Sequence, residues 1–119
     1  MTGTAELVVS WEDTAAAVRS GDVPVLATPR IVGLCEEASV RALAGHLAEG
    51  QTSVGTRVEI AHLAAVAVGS AVRAVATLDK TEGRRMVFSV SVTDGCGLVA
   101  VGKVTRVVVT KDHFVEKAR

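Results

Sequence analysis

Aromatic side chains are nearly missing from this chain. Trp11, Phe88 and Phe114 are the whole complement, and tyrosine is absent. That argues against platforms for stacking nucleobases. Neither sign of charge is in excess: 13 basic and 13 acidic residues cancel. No net field therefore draws the chain to nucleic acid or to an anionic membrane. Long apolar runs are missing as well. The longest, around Ile60 to Val72, is interrupted by His62, Gly69 and Ser70, and is too short to span a bilayer. No charged-then-apolar signal opens the chain, so a cytoplasmic protein is expected. Cys35 and Cys96 lack metal-type spacing and read as reduced thiols. His46 and His113 have no acidic or thiol partners at ligand spacing, so no metal is expected.

What the chain has in quantity is valine and alanine. Apolar residues make up 49% of it, which is high for a small monomer with much surface per volume. A homo-oligomer that buries an apolar face against its own copy, a dimer or a tetramer, is the expected consequence. The length of 119 residues suits one domain over residues 1–119.

Residues 1–5 read as frayed and Leu7 to Trp11 as a short strand. Ala15 to Arg19 reads as a brief helical turn, and Val23 to Ala27 as an extended linker. Helical periodicity then runs from about Pro29 to Leu47 and stops before Gly50. Thr28 suits its N-cap and Pro29 its first turn. After Gly50 the apolar period changes from 3.6 to 2. Val54, Thr56, Val58, Ile60, His62 and Ala64 should share one strand face, with Gly55, Arg57, Glu59 and Ala61 on the other. Further strands are expected over Ser70–Leu78, Arg85–Thr93 and Leu98–Thr110. The Arg85–Thr93 strand carries Met86, Phe88, Val90 and Val92 on one side. The expected architecture is α+β: a long helix packed on a four-strand antiparallel meander.

Two adjacent carboxylates on the helix are sent different ways. Glu37 shares a polar face with Arg30 and Arg41 and makes an i,i+4 pair with Arg41. Glu36 shares a stripe with Val32, Val40, Leu43 and Leu47, and is expected to point at the core. A buried carboxylate needs a partner or a task. His62, on the apolar strand face, is a candidate partner, and such a pair performs acid–base chemistry near neutral pH. Its plainer role is a hydrogen-bonded core residue. Thr28 is either an ordinary cap or part of a helix N-terminus that polarises a carbonyl oxygen. Eight helical residues rise about 12 Å, so Thr28 and Glu36 cannot touch and would serve different parts of a substrate. Arg106 either snorkels to the sheet rim or anchors an anion. The GLVAVGK run at Gly97–Lys103 imitates a phosphate-binding loop. Val104 stands where Ser or Thr should follow, and the segment reads as a strand, so nucleotide triphosphate binding is excluded.

Three separated segments, ATPRIVGLCEEASVRAL, SVGTRVEIAH and EGRRMVFSVSVTDG, followed by Arg106, resemble in order and spacing the hotdog-fold thioesterase family that includes fluoroacetyl-CoA thioesterase. The similarity covers roughly Leu26 to Phe114. The resemblance implies a hotdog fold, long helix on antiparallel sheet, and an acyl-CoA thioesterase working at a homodimer interface. Coenzyme A arrives as part of the substrate, with no separate cofactor. The family pattern implies that Thr28, Glu36 and His62 are catalytic. It places Gly55 where the backbone closely approaches the acyl thioester, and Arg106 at the substrate. Three departures stand out: VAVG at Val66–Gly69 replaces a TPxG turn, Val104 replaces a histidine, and no aromatic lies near Asp22–Leu26. Fluoroacetyl specificity is therefore not implied. Two other readings stay open: a hotdog dimer that binds an acyl ligand without turnover, and a structural dimer in which Glu36 and His62 satisfy each other.

Overall fold

A computed structural model describes all residues, 1–119. Strand β1 (Thr2–Val8) leads through a 3-10 turn at Trp11–Asp13 into the short helix α1 (Ala15–Val18) and then the long helix α2 (Thr28–Leu43). Strands β2 (Gln51–His62), β3 (Ala71–Glu82), β4 (Arg85–Asp94) and β5 (Gly97–Thr110) follow, and a short helix α3 (Lys111–Glu116) ends the chain. All five strands form one antiparallel sheet in the order β1-β3-β4-β5-β2. The sheet curls around α2.

The core lies between that helix and the sheet. Ile31, Leu34, Cys35, Ala38 and Ala42 of α2 pack on Ala5, Val72, Ala74, Ala76, Phe88, Val90, Val92 and Val104, all of them buried. Each fully buried large apolar side chain contributes about 1.5–3 kcal/mol. The helix lies mainly over β1 and β3, where small residues let the backbones approach. Gly3 is the closest point: a Cβ there would strike the Ala38 carbonyl and the Ala42 amide. Gly3→Ala is therefore expected to destabilise the fold by at least about 1–3 kcal/mol through overpacking against rigid backbone. Urea unfolding checks this, and an unchanged midpoint would contradict it.

Several expectations are corrected. Residues 1–5 are not frayed: β1 pairs with β3 from Thr2↔Thr77 to Val8↔Ala71, and the residues of this stretch that face inward are the small Gly3 and Ala5, which carry little apolar signal. The helix ends at Leu43 rather than Leu47, because Gly45 adopts φ 81°, a left-handed stop for which glycine is suited. The four later strands are not a simple meander. Two-residue turns at Gly83-Arg84 and Gly95-Cys96 make true hairpins. The connection after β2 instead spans residues 63–70 and is tied elsewhere. Leu63 and Ala64 donate to the Val99 carbonyl, Val66 accepts from Leu26, and Gly69 donates to Val9. So β2 lies beside β5, and its other edge is unpaired.

The expected face alternation of β2 holds only in its second half. The register slips between Gly55 and Arg57, where Thr56 is an extra residue. Beyond this bulge Val58, Ile60 and His62 face α2 as expected. Before it the alternation is inverted, so Gly55 sits opposite Arg106 and Ser53 opposite Val108, on the helix side. A bulge re-aims side chains in this way.

Candidate active site

The N-terminus of α2 differs from expectation in one important detail. Ala27, not Thr28, is the N-cap. Its carbonyl accepts from the amides of Arg30 and Ile31, at 3.1 Å each. Thr28 is the first helical residue, and its hydroxyl is free for another use. It lies 2.7 Å from Nδ1 of His62, at the far end of β2. The other ring nitrogen, Nε2, lies 2.8 Å from the Ala64 carbonyl. A carbonyl can only accept, so Nε2 carries the proton. Nδ1 is then a lone-pair acceptor, and the Thr28 hydroxyl donates to it. His62 borders a surface cavity of about 180 Å³, lined also by Val25, Leu63, Ala64 and Ala65. Thr28 is exposed and His62 half-buried.

Glu36 does not point at the core, and it does not meet His62 within the chain. The inward stripe of α2 runs through Leu34, Cys35 and Ala38. Glu36, one residue on from Cys35, falls at the margin where the helix meets β2 and β5. Val40, which shares its face, is 47% exposed. The Glu36 side chain is 37% exposed, and its partner is Arg106, with Oε2 3.5 Å from Nη1. Glu37 behaves as expected and pairs with Arg41 at 3.0 Å.

Arg106 is almost completely enclosed, its side chain 8% exposed, so it does not snorkel. Its Nε donates to the Ser53 hydroxyl at 2.8 Å and its Nη2 to the Ser53 carbonyl at 3.1 Å. Burial pulls the guanidinium pKa below its ordinary value, and the Glu36 carboxylate opposes that. Arg106 is thus an anion anchor whose anion, in the single chain, is Glu36. Gly55 completes this cluster: a Cβ on it would strike Oε2 of Glu36 and approach Nη1 of Arg106 to 3.4 Å. A groove of about 240 Å³ lined by Val40, Leu43, Ala44, Gly45, Leu47, Thr52 and Ser53 lies nearby on the same flank of α2. The largest surface cavity, about 420 Å³ between β1, β3 and β4, includes none of these five residues.

The five candidates therefore form two centres, Thr28 with His62 and Glu36 with Arg106 and Gly55. The helical rise between Thr28 and Glu36, about 12 Å, keeps them apart. Ser53 was not anticipated from the sequence. Once the bulge is known, its two-residue offset from Gly55 places it beside Arg106. The Ala64 carbonyl is a backbone group and leaves no trace in the sequence. Cys35 is no nucleophile: burial, reinforced by the Glu36 charge, pushes its thiol up to about 11.

One curled antiparallel sheet around a central helix is the hotdog architecture. A hot-dog-like protein from Thermanaerovibrio acidaminovorans superposes with a TM-score of 0.90 at 32% identity, covering 98% of this chain and 87% of that one. A thioesterase superfamily member from Thermus thermophilus gives 0.91 at 34%, covering 98% and 86%. The crystal structure of the fluoroacetyl-CoA thioesterase FlK gives 0.92 at 33%, covering 98% and 91%. In sequence, the fluoroacetyl-CoA thioesterase of Streptantibioticus cattleyicolor is 40% identical over 95 residues, spanning 80% of this chain and 68% of that protein. The family described as FlK, fluoroacetyl-CoA-specific thioesterase, matches residues 9–112. The chain belongs to this family of hotdog thioesterases.

Proposed function

We propose that this protein hydrolyses an acyl-CoA thioester, with Thr28, Glu36 and His62 as catalytic residues and Gly55 and Arg106 bordering the substrate. The observation that carries the chemistry is the Thr28–His62 hydrogen bond, with the imidazole held in one tautomer by Ala64. Family membership supplies the substrate class, and a relative of this fold has been crystallised with fluoroacetate and CoA.

The separation of the two centres points to a homodimer joined through β2. Its outer edge is unpaired, and it carries half-buried Val54, Val58 and Ile60. Antiparallel pairing of β2 with its two-fold copy sets the C-terminal end of one strand beside the N-terminal half of the other. His62 and Thr28 of one protomer then approach the partner's Glu36. One site is thereby built from two chains, and the apolar excess of the sequence is buried.

In such a site Glu36, held at Oε2 by Arg106, uses Oε1 to take a proton from water as the water oxygen adds to the thioester carbonyl carbon. His62 supports this step through Thr28. The proton that Glu36 took from water passes through the Thr28 hydroxyl to Nδ1, which restores the Glu36 carboxylate and reverses the hydrogen bond: Nδ1–H donates to Thr28, and the hydroxyl proton turns outward to the oxyanion. Collapse breaks the C–S bond, and the imidazolium returns its proton to the leaving thiolate. The products are the free acid and CoA thiol. Gly55, having no side chain, leaves room for the acyl group against Glu36. No aromatic side chain lies between Asp22 and Leu26, so short and medium acyl groups are admitted without a fluoroacetyl preference.

The test is a panel of short, branched and aromatic acyl-CoAs incubated with the purified protein while free thiol is followed. Turnover of at least one member is expected. Binding of acyl-CoA with no thiol released across the panel would instead establish a non-catalytic ligand-binding hotdog.

A further inference from the structure

Asp13 is the one carboxylate that the fold buries, at 8% exposure, and the chemistry above gives it nothing to do. Its Oδ2 accepts the Ser10 amide at 2.9 Å and lies 3.0 Å from the Ser10 hydroxyl. Its Oδ1 accepts from Nε of Arg30 at 3.0 Å. Its own backbone carbonyl accepts the Ala27 amide at 2.8 Å. The residue therefore grips the chain on both sides of Thr28: at Ala27 through its backbone, and at Arg30 through its side chain. Pro29, between them, has no amide with which to anchor the segment itself.

We propose that Asp13 is a positioning residue, which fixes the first turn of α2 so that the Thr28 hydroxyl meets Nδ1 of His62. The neighbouring backbone supports the same role. Thr14 and Leu26 form an antiparallel bridge, Val25 and Ala67 another, and Leu26 donates to Val66 in the loop that follows His62. The 10–14 turn, the start of α2 and the loop after β2 are thus tied together around the Thr28–His62 pair. Burial pushes the Asp13 carboxyl pKa up, but the Ser10 amide and hydroxyl and the Arg30 guanidinium outweigh it and hold the group below the ordinary carboxylate value. The ionised form is the one built into the structure. An asparagine in its place keeps the shape and turns a neutral amide toward Arg30, so the pair loses its charge.

This inference rests on the catalytic reading of Thr28 and His62 for its kinetic consequence, but not for its structural one. Its test therefore has two arms, applied to Asp13→Asn and to Arg30→Gln, which breaks the same pair from the other side. Circular dichroism and thermal melting select a temperature at which every variant is folded. In the spectroscopic arm, the ¹⁵N resonance of His62 Nδ1 reports whether it accepts a hydrogen bond. It is expected to move toward the unbonded value in both variants. In the kinetic arm, kcat is expected to fall about 10- to 100-fold with KM within about threefold, the scale on which small misplacements act. The double variant should lose no more than the worse single one, because both break one interaction. An unchanged His62 resonance in the folded variants overturns the proposal, whatever the activity does. If the native protein turns over no acyl-CoA, the function proposed above fails, and the spectroscopic arm alone still decides the role of Asp13. Should Asp13→Asn fail to fold, Arg30→Gln carries the same two readouts.

Discussion

His62→Ala is expected to lower kcat for acyl-CoA hydrolysis by about 10²- to 10⁴-fold, the usual loss when a general acid–base is removed. The fold should be retained, because His62 is half-buried at the end of β2 and outside the apolar core. Glu36→Gln should cost a similar factor, since the amide keeps its shape beside Arg106 but takes no proton from water. The two variants also test how the site is divided. In a mixed dimer of the two, a site that combines one chain's His62 with the partner's Glu36 occurs once with both residues altered and once with both native. Co-refolding equal amounts should therefore restore about one quarter of the native rate, because half the dimers are mixed and each holds one intact site of two. If each site were built within one chain, every site in the mixture would lack one group and no activity would return. Steady-state thiol release on the singly and jointly refolded proteins makes the distinction.

Gly55→Ala, which adds only a methyl group, should damage activity while sparing the fold. The new Cβ would occupy the place of Glu36 Oε2 and crowd Nη1 of Arg106. The obstruction is the tip of a flexible, 37% exposed side chain rather than backbone, so Glu36 can move away and the fold should survive. Moving a catalytic carboxylate by about 1 Å is enough to lower kcat/KM about 100-fold, and that loss is expected with little change in melting temperature. This pattern is the reverse of the one expected for Gly3→Ala, where the obstruction is helix backbone and stability suffers. An alanine at residue 55 with native kinetics would remove Gly55 from the site. A large drop in melting temperature would make its role one of packing alone.

Much of the local structure was legible in the chain. The long helix shows its 3.6-residue period and its Pro29 start. The strand over Arg85–Thr93 carries Met86, Phe88, Val90 and Val92 at every second position, and the glycines at residues 83 and 95 mark the turns on either side of it. The order of helix and strands, with the spacing of Thr28, Glu36, His62 and Arg106, sufficed for the family. These are properties of neighbours a few residues apart, and covalent geometry carries them directly into local conformation.

Which residues meet across long separations was not legible. His62 meets Thr28 instead of Glu36, and Glu36 meets Arg106. Two features cause this: the core stripe of α2 runs through Cys35 rather than Glu36, and the bulge at Thr56 turns Gly55 and Ser53 toward the helix. The place of β2 beside β5, and of β1 in the sheet at all, depends on pairings between segments far apart in the chain. Such contacts form only once the whole sheet has closed on the helix. Their partners are selected by packing and by the hydrogen-bonding needs of buried groups, which no short window of residues records.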